Sequence, residues 1–363
     1  MGLGAVIAIS ANRSGSRIAG DSILRETLDS DQAALLNEGL ECVEVCGRSL
    51  VERSVERFTA IGVDRISILV DAGVPMPALR EKNEKVTVQA VEDLGPSIAS
   101  TIKEHALQSI DHSFIIRGDN YTETDLLDLF SFHREARQEI TPTYCKAGDL
   151  ALWVVNCAKA RETSLANLLE VGGRGSRYFI REYVSCLNDC RDLRRFASEV
   201  LRGVCETRPS GRQIRPGVWI DEGAEVHRRA RIVAPAYIGR GARIRADALI
   251  TRLTSIEEDC VVDCGTVIED SSILANTSVG ICLDLCHAVV SGNKLLSLER
   301  DVVVEISDAA VLHSTVASRR LRAGIKPASV LNEPSVVTEN RTRSPQLNPM
   351  LDSWQWGKNF IQE

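Results

Sequence analysis

The sequence predicts an α/β domain followed by a parallel β-helix, and three observations carry that reading. From Ile214 to Leu274 an aliphatic residue returns every six positions: Ile214, Ile220, Val226, Ile232, Ile238, Ile244, Ile250, Ile256, Val262, Ile268, Leu274. Upstream of that series, short apolar runs alternate with patches of helical spacing. Between the two regions stands Arg208-Pro209-Ser210-Gly211, a turn-rich junction.

A helix repeats at 3.6 residues and a half-buried strand at 2, so neither sustains a period of six. A solenoid does, because each short strand turns a corner and stacks on its equivalent one coil earlier. A second position keeps the same phase. Two residues before each member from Ile220 onward sits a small residue or valine: Val218, Ala224, Ala230, Ala236, Ala242, Ala248, Thr254, Cys260, Thr266, Ser272.

Residues 4–9 form a continuous apolar run, expected as a strand buried on both faces. Residues 10–20, rich in Ser, Gly and Arg, read as a loop, and residues 21–38 as a helix or an irregular insertion. Leu50, Val51, Val55, Phe58 and Ile61 define an amphipathic helix stopped by Gly62. Strands are expected at 65–70, 86–91, 113–117 and 150–156, and helices at 97–108, 125–137 and 193–201. This alternation predicts βαβ units and a mostly parallel sheet. Such sheets bind ligands beyond the carboxyl ends of their strands, where the 10–20 loop and Gly118-Asp119 both fall. At residues 279–298 the six-residue rhythm fails and a loop or hairpin is expected, with strands following at 302–306 and 310–316. The domains are therefore expected at 1–207 and 208–323. Residues 324–363 follow as a Pro-rich extended tail anchored by Trp354, Trp356 and Phe360.

Composition narrows the function. A formal charge of −7 argues against nucleic acid as the main partner, because neutralising phosphates needs a basic face. Four pairs among the eleven cysteines are spaced i,i+4, with no CxxC, which predicts reduced structural thiols rather than disulfides or zinc. Neither a signal peptide nor an apolar run of membrane-spanning length is present, so a cytoplasmic protein with no membrane partner is expected.

The layout resembles the sugar-nucleotide pyrophosphorylase (nucleotidyltransferase) family, in which an α/β domain of Rossmann-like architecture precedes a left-handed β-helix. That family includes mannose-1-phosphate guanylyltransferases and glucose-1-phosphate nucleotidyltransferases. Residues 5–10 leading into Ser14-Gly15-Ser16-Arg17 resemble its strand and Gly-rich loop, and residues 43–52 its approach to the first long helix. Residues 114–119, Phe-Ile-Ile-Arg-Gly-Asp, resemble the strand that delivers a metal-binding aspartate. The resemblance covers roughly residues 3 to 320. It implies transfer of a nucleotidyl group from an NTP to a hexose 1-phosphate, with Mg²⁺ as cofactor. Ala11, Gly15, Gly95 and Gly118 would contact the nucleotide, Arg17 would neutralise the leaving pyrophosphate, and Asp119 with Asp189 would hold Mg²⁺.

Four departures from the family pattern bear on activity. Asn12 and Arg13 stand where glycines belong, and the expected Pro-Lys pair falls at Gly39-Leu40. The base-binding Gly-Thr-Ala appears as Gly95-Pro96-Ser97. The second metal carboxylate falls at Cys186 in the direct register, and Asp189 replaces it only after a slip of three residues. Losing a lysine or a metal carboxylate costs on the order of 10²-fold in rate apiece. The expectation is a catalytically weakened nucleotidyltransferase-like protein serving as a regulatory or scaffolding subunit. It would form a homo-oligomer through its β-helix, with a partner enzyme of sugar-nucleotide metabolism. One alternative is an active enzyme with displaced residues. The other is a hexapeptide-repeat acyltransferase using His227, with His287 and His313 in reserve.

Overall fold

The computed structural model of the chain describes residues 2–10, 35–36, 39–80, 83–160 and 175–316. Ala11, Gly15 and Arg17, most of the 21–38 segment and the whole 324–363 tail lie outside the described residues.

The N-terminal half is built on strands β1 (Gly2–Ile9), β2 (Arg65–Asp71), β3 (Val86–Val91) and β4 (Ile110–Arg117), with β5 (Asn120–Thr122) standing apart. Strands β6 (Ile140–Cys145), β7 (Gly148–Asn156), β8 (Tyr178–Phe179) and β9 (Val184–Cys186) complete it. The helices are α1 (Leu50–Ala60), α2 (Leu94–Leu107), α3 (Leu126–Ala136), α4 (Cys157–Ala160) and α5 (Cys190–Arg202). The main sheet has the order β3-β2-β1-β4-β7-β6-β8. Its first four strands are parallel. Alternate residues of β1 feed two aliphatic cores: Ala5, Ile7 and Ile9 face helices α1 and α3, while Val6 and Ala8 face α2. Ser49 caps α1 in a reciprocal capping box with Glu52, so the helix starts where the polar-to-apolar change in sequence puts it.

Two strands depart from the expected pattern. Strand β7 runs antiparallel to β4, and β6, which the sequence pattern missed, pairs antiparallel with β7. Pro142 within β6 lacks a ladder donor, and its presence argues against a strand when only the sequence is read. The register irregularity lies there too, between Pro142 and Tyr144.

The C-terminal half consists of many short strands in parallel stacked sheets, an arrangement compatible with a β-helix. One sheet stacks Val218, Ala236 and Thr254 in register, a second Glu225, Arg243 and Val261, and a third Arg231, Leu249 and Val267. Each step is eighteen residues, three hexads to a coil. Ile238, Ile244, Ile250, Ile256, Val262 and Ile268 fill one buried cluster together with Ala236, Ala242, Ala248 and Cys260, so both phase-locked positions face inward. Corner positions in left-handed conformation stack likewise. Gly223, Gly241, Asp259 and Asn276 recur at coil spacing, residue types that tolerate positive φ.

The ends of the six-residue series behave differently from its middle. Ile214 lies in a strand, Arg212–Arg215, that runs antiparallel to its neighbour, and it is exposed. After Ile256 the coil shortens by one residue, because Ile256 pairs with Ile273 rather than Leu274. Leu274 turns instead into the cluster shared with the α/β half. The rhythm does not fail at 279; it continues at a seventeen-residue spacing through Val279, Leu285 and Val290. Ala288–Ser291 and Lys294–Ser297 then form an antiparallel hairpin inside the stretch where one is expected, and Val302–Glu305 extends the sheet by a further antiparallel strand. Leu312–Ser314 returns antiparallel to close another, with Leu312 buried against the solenoid core.

The halves share a core. Leu193, Phe196, Ala197 and Val200 of α5 join Leu40, Val45 and Cys46 below α1, and all pack with Tyr237, Leu274, Val289 and Leu296 of the solenoid. Both halves belong to one compact unit, Met1–Arg322. Polar links reinforce the seam. Glu257, fully buried, accepts the backbone N–H groups of Cys46 and Gly47 at 2.9 Å each. Burial pushes its carboxyl up to about 8, against these two donors, which favour the charged form. Ser210 in the junction donates to Asp221 at 2.6 Å and meets the Tyr237 hydroxyl at 2.8 Å, while Arg80 ties Asp221 to Glu44. All eleven cysteines are free thiols. Among the described residues no helix is long and apolar enough to cross a membrane.

Candidate functional site

The chain leaves β1, builds β2 and β3 outward on one side, then returns to lay β4 on the other side of β1. That reversal creates a switch point at the carboxyl ends of β1 and β4, the place where open α/β sheets leave a crevice. Ser10 and Gly118-Asp119 both sit there. The Gly118 N–H donates to Ala8 O at 2.8 Å, which closes the end of β4 against β1. A Cβ at Gly118 would stand 3.2 Å from Ile9 Cγ1 and 3.4 Å from both Ala8 O and Glu41 Cβ, so a larger residue would press on the strand end.

Asp119 is buried, and its backbone carbonyl accepts the Leu187 N–H at 2.9 Å. Its carboxylate is engaged by the Arg117 guanidinium. Arg117 and Asp119 are two residues apart at the end of an extended strand, which is why both side chains emerge on one side. Arg117 has no role in the motif as a sequence pattern and enters the site through this contact. The adjacent strand adds Asp149, whose carboxyl burial pushes upward while Arg117 and Arg177 oppose the shift. Arg177 lies over the Tyr144 ring at 4.9 Å.

Asp189 is differently employed. It is the N-cap of α5, its carboxylate accepting the Asp192 N–H at 2.7 Å. Cys186, the residue in the direct register for a second metal ligand, pairs with Asn120 across the β5–β9 ladder. Gly95 lies in the first turn of α2, where the Asp93 carboxylate accepts its N–H at 3.0 Å. The parallel order places Gly95 on the same sheet edge as Asp119, with β3 and β4 three strand spacings, about 14 Å, apart. The structure therefore gathers Gly118 and Asp119 at the switch point, sets Gly95 farther along that edge, and commits Asp189 to a helix cap. Ala11, Gly15 and Arg17 fall in the undescribed stretch that follows Ser10.

Among the described residues no group of three or more His, Cys, Asp or Glu side chains is placed to hold a metal ion. With Asp119 engaged by Arg117 and Asp189 by its own helix, this donor set does not fit Mg²⁺.

The solenoid histidines are dispersed. His227 Nδ1 accepts the Arg229 N–H at 3.2 Å, His287 pairs with Asp270 at 2.7 Å, and His313 bonds the Ala309 carbonyl at 2.8 Å. Each is held by a local partner at a solenoid corner or return strand.

No protein-family model matches the chain, and no curated protein is similar to it by sequence.

Proposed function

We propose that the protein is a sugar-phosphate nucleotidyltransferase-like subunit, weakened in catalysis, that acts in regulation or scaffolding. An α/β sheet domain followed by many short strands in parallel stacked sheets supports this reading, which takes the first as Rossmann-like and the second as a left-handed β-helix. One observation carries the proposal: Asp119 and Asp189, the two aspartates that the resemblance would assign to Mg²⁺, are each engaged within the protein. Asp119 bonds Arg117, and Asp189 caps α5. A carboxylate already bonded to a guanidinium gives up that interaction before it can take a cation, and a capping aspartate gives up a helix terminus.

The test is pyrophosphate release from an NTP panel with hexose 1-phosphates and Mg²⁺. The expected result is no release above that of Asp119→Ala, with nucleotide raising the melting temperature of the wild-type chain. Turnover in the wild type that Asp119→Ala abolishes would refute the weakened reading and establish the active-enzyme alternative.

Scaffolding also implies self-association through the β-helix. Its hairpin edge strand, Val302–Glu305, leaves Val302 and Val304 exposed, with one backbone edge unpaired among the described residues. Light scattering at micromolar concentration is expected to give a multiple of the chain mass, and a single-chain mass would count against this part.

A further inference from the structure

We propose that the cleft between helix α1 and the segment Glu206–Gly211 binds a small phosphate-bearing anion. This site is separate from the switch-point edge, and the inference does not rest on the nucleotidyltransferase reading. The cleft encloses about 430 Å³, within the range of small-molecule sites, and four arginines line it: Arg48, Arg53, Arg57 and Arg208.

The charges there are unbalanced. Two carboxylates also line the cleft: Glu206, and Glu56, which is paired with Arg48 at 2.7 Å. A third, Glu123, is taken up by the Tyr121 hydroxyl at 3.1 Å and by the N–H groups of Glu206 and Thr207 at 2.7 and 3.0 Å. Arg53, Arg57 and Arg208 form no ion pair among the described residues.

Their neutral partners use only part of what each guanidinium offers. Arg53, just 2% exposed, donates to the Thr207 hydroxyl and to Val45 O and stacks over the Phe196 ring. Its buried Nε has no hydrogen-bond partner. Arg57 reaches Thr124 O, and the exposed Arg208 makes no side-chain hydrogen bond among the described residues. A buried guanidinium without a counter-charge is costly, and an anion in the cleft offsets that cost. The fork of N–H donors on each arginine matches the spacing of phosphate oxygens. The forks of Arg57 and Arg208, with the buried charge of Arg53 behind them, offer more donors than a single carboxylate accepts, and this favours a phosphate or diphosphate group. Arg53 and Arg57 come from α1 and Arg208 from the junction segment, so the ligand would bridge the two.

Calorimetric titration of the full chain with sodium pyrophosphate, in EDTA to exclude metal-dependent binding, tests the assignment. Saturable binding is expected in the wild type. It should weaken about tenfold or more in Arg208→Gln, vanish in Arg208→Glu and persist in Asp119→Asn. Arg208 is exposed and forms no hydrogen bond or ion pair among the described residues, so its variants are expected to keep the wild-type melting temperature without ligand. Wild-type affinity in Arg208→Glu would overturn the proposal, as would loss of binding in Asp119→Asn alone. So would the absence of binding by the wild type at about 1 mM pyrophosphate, the weak end of ordinary ligand affinity.

Discussion

Gly47→Ala is expected to destabilise the protein severely, by about 4 kcal/mol or more, and to reduce soluble yield. Gly47 lies at φ +85°, where a Cβ is strained before any neighbour is considered. A Cβ built there would also overlap the Ser210 and Tyr237 hydroxyl oxygens, which face each other at 2.8 Å. Neither hydroxyl can withdraw freely. Tyr237 is fully buried, and Ser210 is held by Asp221 and by the Cys46 carbonyl, which accepts its N–H at 3.0 Å. Relief would require the α/β half to lift from the solenoid, breaking the two N–H bonds from Cys46 and Gly47 to Glu257. Urea unfolding followed by circular dichroism checks the prediction, and a Gly47→Ala midpoint equal to the wild type would refute it.

Stability is expected to fall steeply between pH 7 and pH 5 because of two buried histidines in the α/β half. His105 meets Ser113 at 2.8 Å and Ser67 at 3.3 Å, and His133 meets Thr141 at 2.8 Å. Burial lowers both from 6.5 to about 4, with the Arg65 charge adding to it for His105 and the neighbouring His112 for His133. The unfolded chain takes up these protons below about pH 6.5, while the folded chain resists until about pH 4. Neutral imidazole is thus favoured by folding, and the stabilisation, complete above pH 6.5, is lost as the pH falls toward 4. Each histidine contributes a loss of about 2 kcal/mol between pH 7 and 5. His112, lowered in the same direction, adds to it. His105→Gln removes one titration, so its stability should change less over this range than that of the wild type. Parallel pH profiles for the two proteins would refute the assignment.

The strands at β1 to β4 were legible because continuous apolar runs between turn residues have few other uses, and β3 falls on the expected residues. The solenoid was legible in its middle for the same reason its core is well packed: inward positions admit only aliphatic or small residues. Its last coils were not. One residue removed from a corner shifts the inward face from Leu274 to Ile273, and a fixed period of six cannot follow a coil of seventeen. Gly118 and Asp119 could be placed because a strand end at a switch point is a local and topological property. The ties that occupy Asp119 and Asp189 were out of reach, since a capping bond depends on where the helix starts. The need for glycine at position 47 is set by Ser210 and Tyr237, which only folding brings near.

The shared core also sets an order of events during synthesis. Helix α5 and the Val43–Cys46 segment are translated long before Leu274, Val289 and Leu296, the solenoid residues that cover them. At ordinary elongation rates of about 5–20 residues per second, the apolar side of α5 waits several seconds for its cover. During that interval the nascent chain displays Leu193, Phe196 and Val200 to the cytosol of any expression host. Ribosome-proximal chaperones that hold exposed aliphatic surface should engage it in that window and release it once the fourth coil and the hairpin after it have emerged.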